Sequence, residues 1–145
     1  MEIVFGSQNG YVSAVNHDGT IVPGWPANLG ASVDGSPIII DLDGNGTQEI
    51  LISRQEAIFP SALYGFNSNG TPFPGFPKPL IQGRIMSPVA GDFDGDGLIE
   101  VFAADFFFPT YSSNLYLWEF TGAATTTNLP WPMFHHDPQH TGKYP

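Results

Sequence analysis

Apolar residues along this chain fall into short alternating runs. Residues 12–15, 63–66 and 115–118 alternate between apolar and polar or small side chains, and residues 38–40 and 89–90 are brief continuous apolar runs. Period-two alternation marks a half-buried strand, and each alternating run leads into an Asn/Gly-rich segment, NHDGT, NSNGT or EFTG. That reads as strand, tight turn, strand. The runs recur in three units that open alike, Glu2-Ile3-Val4-Phe5, Glu49-Ile50-Leu51-Ile52 and Glu100-Val101-Phe102-Ala103. They stand about 50 residues apart. The first two units then place an aromatic in a Gly-aromatic-Pro corner, Gly24-Trp25-Pro26 and Gly75-Phe76-Pro77, and the third has the looser Pro130-Trp131-Pro132. Ser36-Pro37 and Ser87-Pro88 follow at matching offsets, each ahead of an apolar run and an acidic loop.

A period of roughly 40 to 50 residues with about four short strands apiece is the signature of β-propeller blades. The spacing predicts an all-β chain and one blade from strands at residues 37–40, 49–53, 62–67 and about 71–73, with the acidic loop joining the first two. As a single repeat domain, residues 1–145 divide into a partial blade (1–36), a blade (37–87), a second blade (88–132) and a closing tail (133–145). Glu2 aligns with the last acidic position of the other two loops, so the first unit is expected to start where an upstream acidic loop would end. Closed propellers need at least about four blades. The expectation is therefore an incomplete propeller, whose edges are covered by upstream blades of a longer chain or by further copies in a ring or filament.

Composition sharpens this reading. Seventeen Gly and 14 Pro without a collagen-like period favour many turns and few helices. The net charge of −10, with only four basic residues, speaks against nucleic acid or an anionic membrane surface as partner and for cations. Half of the 14 acidic residues sit in residues 41–49 and 92–100, so the charge is concentrated and not a diffuse coat. There is no cysteine, hence no disulfide or thiolate site. No run nears the ~20 apolar residues of a membrane span, and no signal-peptide pattern follows Met1.

The two loops read Asp41-Leu42-Asp43-Gly44-Asn45-Gly46-Thr47-Gln48-Glu49 and Asp92-Phe93-Asp94-Gly95-Asp96-Gly97-Leu98-Ile99-Glu100. Oxygen-bearing side chains stand at loop positions one, three, five and nine, with Gly at six to permit a sharp turn. Calcium takes six to eight hard oxygen ligands at about 2.3–2.6 Å, and this spacing lets a curled backbone aim alternate side chains at one point. The carbonyl of Thr47 or Leu98 is the expected position-seven ligand. The absence of nitrogen and sulfur ligands disfavours zinc and copper. Two Ca2+ sites are expected: Asp41, Asp43, Asn45, Thr47 and Glu49; and Asp92, Asp94, Asp96, Leu98 and Glu100. The second, with one more carboxylate, is expected to bind more tightly. An EF-hand shares part of the pattern, but its twelfth position would be Ile52 or Ala103 in place of a bidentate Glu, and the flanks are β-rich.

With the Ser-Pro pairs ahead of them and the Gly-aromatic-Pro corners between, these loops resemble the FG-GAP or VCBS-type repeats of integrin α-chain-like propellers. The resemblance covers nearly the whole chain. It implies a seven- or eight-bladed propeller in which each calcium rigidifies an interstrand hairpin, an extracellular setting, and a role in adhesion or ligand recognition with a protein or carbohydrate partner. The third unit departs from the pattern by having no such loop after it.

No G-x-S-x-G, phosphate loop or dinucleotide fingerprint appears, and carboxylates that coordinate calcium are held ionised, so no catalytic residue is expected. The enzymatic alternative is the propeller portion of a secreted polysaccharide-degrading enzyme, a lyase-like setting in which calcium-loop propellers also occur. His135, His136 and His140 beside Asp137 offer a zinc or copper site as an alternative to a packed turn that seals the last blade. Phe59, Tyr64, Phe106, Phe107, Phe108 and Tyr111 are expected to pack between blades, with a carbohydrate- or protein-binding surface as the alternative.

Overall fold

A computed structural model describes residues 2–55, 61–81, 83–108 and 110–139; Phe59 and His140 lie outside them. Among the described residues there is no helix, so none is long and apolar enough to cross a membrane. The strands form three antiparallel sheets, none closed into a barrel. The first contains β1 (Glu2–Gly6), β2 (Tyr11–Asn16) and β3 (Ala27–Asn28) in that order. The second runs β4 (Ile38–Ile40), β5 (Glu49–Arg54), β6 (Ala62–Asn67), β7 (Lys78–Pro79). In the third, β10 (Leu98–Phe107) pairs with β8 (Arg84–Ile85), β9 (Val89–Gly91) and the long β11 (Ser112–Ala123).

The repeat is visible in the registers. Glu2 pairs with Asn16 as Glu49 pairs with Asn67, and Val12 meets Ala27 as Leu63 meets Lys78. In both hairpins the Asn N–H donates to a Thr carbonyl at 2.8 Å, with Gly19 and Gly70 at positive φ. The corner glycines Gly24 and Gly75 also have positive φ, 93° and 82°, which only Gly adopts readily. Gly24 has a second reason to lack a side chain, because a Cβ there would run into the Asn69 carbonyl of the neighbouring hairpin. Trp25 seals the same contact by donating its indole N–H to the Ser68 carbonyl at 3.0 Å.

Side-chain alternation sends the two faces of the middle sheet into separate cores. Ile39, Ile50, Ile52, Tyr64 and Phe66 pack against Val12, Ala14, Trp25 and Leu29 of the first unit. Ile38, Ile40, Leu51 and Leu63 pack against Ala90, Ile99 and Val101 of the third. Each fully buried aliphatic side chain contributes roughly 1.5–3 kcal/mol. Residues 128–132 add a closing element along the edges of β4 and β9. Ile39 and Trp131 exchange backbone hydrogen bonds at 2.9 and 3.0 Å, the Asp41 N–H donates to the Asn128 carbonyl, and the Ala90 N–H donates to the Pro132 carbonyl.

Two sequence expectations need correction. Residues 71–73 supply only one bridge, Pro72 to Phe66, and the outer strand of the middle sheet is β7. Pro72 and Pro74 have no N–H to give a ladder. The segment EFTG is not a turn, because residues 119–122 lie inside β11. It lacks the Asn-x-Asx-Gly-Thr pattern whose side chains fold the other two hairpins, as when Asp18 and Asn69 accept from the backbone N–H of Thr20 and Thr71. Phe120 instead stacks on Phe76, ring centroids 6.0 Å apart.

Candidate metal centre

Both acidic loops join two consecutive antiparallel strands of one sheet, β4 to β5 and β9 to β10, and both curl around a first-position Asp. Gly44, Gly46, Gly95 and Gly97 all have positive φ, between 74° and 89°. The first-position Asp is the hub of each curl. Asp41 accepts from the N–H of Asn45 at 3.1 Å and of Gly46 at 2.9 Å. Asp92 accepts from Gly95 at 2.6 Å and Gly97 at 3.0 Å. The third-position carboxylates of Asp43 and Asp94 accept from the fifth-position N–H, and the fifth-position oxygens of Asn45 and Asp96 accept from the N–H of Thr47 and Leu98. Every turn of the backbone thus points an acidic or amide oxygen inward.

The closing glutamates come from the strands. Glu49 lies opposite Ile40 and Glu100 opposite Gly91, which anchors each at the mouth of its own loop. Oε2 of each accepts from the backbone of the second loop residue, Leu42 at 2.9 Å and Phe93 at 2.6 Å. Oε1 of each is buried and has no hydrogen-bond partner. Ligand atoms of Asp41, Asp43 and Glu49 lie within 4.8 Å of one another, as do those of Asp92, Asp94, Asp96 and Glu100. Both clusters could hold a metal ion. A buried carboxylate oxygen without a donor is costly, and a cation among the converging oxygens would offset that cost.

Electrostatics in the first loop agree. Burial pushes the Glu49 carboxyl up from the usual 4.5 to about 7, the charges of Asp43 and Asp41 push the same way, and the Leu42 N–H pulls it down. The surroundings of the two loops differ. Leu42 is fully buried in the core shared with the third unit, whereas its counterpart Phe93 is 52% exposed. Gly122 of β11 donates its N–H to the Leu42 carbonyl at 2.9 Å, and a Cβ on it would collide with the Asp41 carbonyl. The first loop is therefore buttressed by a neighbouring sheet, while Asp92, Asp94 and Asp96 are exposed.

The structure brings together the carboxylates of each of the two acidic loops. Asn45 is engaged differently from Asp96. Its Oδ1 accepts both the N–H and the hydroxyl of Thr47, at 2.6 and 2.5 Å, so joining a cation would mean releasing one of them. Sequence reasoning missed Gly122 and Asn128, whose contacts come from distant segments and leave no local signal. The position-four glycines Gly44 and Gly95 recur in both loop sequences and take positive φ like the position-six pair. The histidines are not drawn into a metal cluster among the described residues. His135 stacks on Phe134, both exposed, and His136 tilts against Trp131. Of the aromatics, Tyr64 packs into the first core, while Phe108 and Tyr111 are 66% and 71% exposed and touch each other edge to face. No family model matches the chain, and no curated protein or solved structure matches it significantly.

Proposed function

We propose that the loops at residues 41–49 and 92–100 each bind one calcium ion, and that calcium is structural in an extracellular binding module built from propeller-type blades. The observation that carries this reading is the unpartnered, buried Oε1 of both Glu49 and Glu100, each on a glutamate whose carboxylate belongs to a cluster of converging acidic oxygens. The ligands would be the side chains of Asp41, Asp43, Asn45 and Glu49 in one loop and of Asp92, Asp94, Asp96 and Glu100 in the other, with the carbonyls of Thr47 and Leu98. An all-oxygen set of this number suits calcium better than magnesium, which keeps several waters, or than zinc and copper. The ion would pin the hairpin between a blade's first two strands and relieve repulsion among the carboxylates. Three antiparallel sheets packed face to face, two of them carrying such a loop in the same place, support the blade reading.

An extracellular setting fits, since calcium sites of extracellular modules work at Kd values of about 10⁻⁴–10⁻³ M. Adhesion or recognition of a protein or carbohydrate ligand is the role that suits a rigid scaffold with exposed loop aromatics. The test is calcium titration by calorimetry together with thermal unfolding in calcium, magnesium and chelator. At about 100 times Kd each site adds about 2.7 kcal/mol to stability. Two calcium ions per chain and a higher unfolding midpoint in calcium are expected. Equal midpoints in calcium and chelator would sink the reading.

A further inference from the structure

Asparagine followed by glycine occurs three times in the chain, at Asn9-Gly10, Asn45-Gly46 and Asn69-Gly70. A glycine in that place has no side chain to shield its own nitrogen, and its backbone is free enough to let that nitrogen approach the asparagine Cγ. The last two steps share the tripeptide Asn-Gly-Thr, so a difference in their chemistry comes from the fold.

All three asparagines are exposed, and in each step the glycine N–H is held. What holds it differs. Gly10 donates to the Ser7 carbonyl at 3.0 Å and Gly70 to the Asn67 carbonyl at 2.9 Å, and a neutral carbonyl does not take the proton away. Gly46 donates to a carboxylate, Oδ2 of Asp41, at 2.9 Å. That is within the reach a general base needs. The Asn45 side chain is prepared at the same time. Its Oδ1 accepts from the Thr47 N–H at 2.6 Å and from the Thr47 hydroxyl at 2.5 Å, so two donors stand where negative charge develops on attack at Cγ. Its Nδ2 donates to Asp43 at 3.0 Å, which fixes the amide plane. Asn69 has the same two donors from Thr71, at 3.1 and 2.7 Å, but the Gly70 nitrogen has no carboxylate. Asn9 accepts from the Ser7 hydroxyl. Room follows the same order. The space at Gly46 is open, whereas a Cβ on Gly70 would run into the Gly24 carbonyl and one on Gly10 would press on the Ala31 backbone.

We infer that Asn45-Gly46 is a self-modifying step, in which Asp41 accepts the Gly46 amide proton and Thr47 stabilises the oxyanion while the Asn45 amide is converted to a carboxylate. The Gly46 nitrogen bonds to Asn45 Cγ as its proton passes to Asp41 Oδ2, and the carbonyl electron pair moves onto Oδ1. When that pair returns, the Cγ–Nδ2 bond breaks, the nitrogen leaves as ammonia with the proton from Asp41, and a cyclic succinimide remains. Solvent water opens the ring at Cγ to give aspartate or at the main-chain carbonyl to give isoaspartate. Water is consumed, ammonia is released, and nothing is oxidised or reduced. Aspartate gives the first loop the fifth-position carboxylate that the second has in Asp96, while isoaspartate routes the main chain through the side-chain carbon and lengthens the loop. The step needs no bound cation, so it stands or falls apart from the metal reading.

The experiment incubates the full chain with chelator at neutral pH and follows amide-to-acid conversion at each of the three asparagines by peptide mass spectrometry, in native buffer and in denaturant. In the native chain Asn45 should convert at least about tenfold faster than Asn69, the low end of what a positioned base contributes, and in denaturant the two should run alike. Equal native rates, or a faster Asn69, would overturn the inference. A difference that survives in denaturant would also overturn it, because sequence and not fold would then set the rate. Asp41→Asn keeps an acceptor for the Gly46 N–H and removes the base, so conversion at Asn45 should drop to the rate at Asn69; an unchanged or faster rate would count against Asp41 and overturn the assignment. The comparison of Asn45 with Asn69 in the wild-type chain holds even where Asp41→Asn fails to fold. Calcium titration of freshly prepared chain tests the metal reading separately.

Discussion

Glu49→Gln should stabilise the chain in the absence of calcium and lose that advantage in its presence. Without the ion, Glu49 is a buried carboxylate whose Oε1 has no donor and whose neighbours Asp41 and Asp43 repel it, so its folded-state value rises to about 7 against an ordinary 4.5. A group whose folded pKa is raised binds more protons folded than unfolded between those two values. Apo stability therefore falls as pH rises from 4.5 to about 7 and is flat above that. The full difference corresponds to about 3 kcal/mol. Glutamine keeps an acceptor for the Leu42 N–H and removes the charge, so in chelator near about pH 8 the variant should be the more stable protein by up to about 3 kcal/mol. At about 2–4 °C per kcal/mol for a chain near this size, that is a rise in midpoint of about 6–12 °C. Well below pH 4.5 the gain should vanish, since the wild-type carboxyl is then protonated in both states. In saturating calcium the order narrows or reverses, because the wild type gains about 2.7 kcal/mol at each of two sites and the variant at only one. The assay is thermal unfolding followed by circular dichroism across pH, with chelator and with about 10 mM calcium. A variant less stable than the wild type in chelator at alkaline pH would refute the reasoning.

Two further substitutions probe the packing that holds the loops. Gly122→Ala pushes a Cβ onto the carbonyls of Asp41 and Leu42; it should cost about 1–3 kcal/mol and weaken calcium binding at the first loop while leaving the second unchanged, read by titration of each site in the background of a disabled partner loop. Gly24→Ala and Gly30→Ala both place a side chain at positive φ, but only the former meets backbone, the Asn69 carbonyl; Gly24→Ala should lower the unfolding midpoint far more than Gly30→Ala, and equal losses would mean that backbone strain alone is being measured.

The acidic loops were legible because their chemistry is local. Spacing within nine residues puts the oxygens on one side of a curl, and Gly44, Gly46, Gly95 and Gly97 mark where the chain must bend. The hairpins at 16–20 and 67–71 were legible for the same reason, with Asp18 and Asn69 closing their own turns. What local pattern does not carry is which element meets which. EFTG looks like a turn by composition, yet Phe120 is held in an extended strand by stacking on Phe76, with Lys78 over both rings. Trp131-Pro132 looks like a loose third corner, yet its backbone serves the edges of β4 in the second sheet and β9 in the third. The difference between the two acidic loops was also hidden. Counting carboxylates ranks the second loop higher, whereas burial of Leu42 and the contact from Gly122 preorganise the first. These two effects oppose each other in setting the relative affinity.

The alternation that divides the middle sheet between two cores also gives the array a direction. On β5, Ile50 and Ile52 look back toward the preceding sheet and Leu51 looks forward to the next, and the ends obey the same rule: Ile3 and Phe5 are the outward residues of the first sheet, Leu115 and Leu117 those of the last. The two ends of the array are therefore different apolar surfaces, one of Ile3 and Phe5 and the other of Leu115 and Leu117. Each sheet thus has to match only its immediate neighbours, so the packing of the first sheet on the second is independent of the packing of the second on the third.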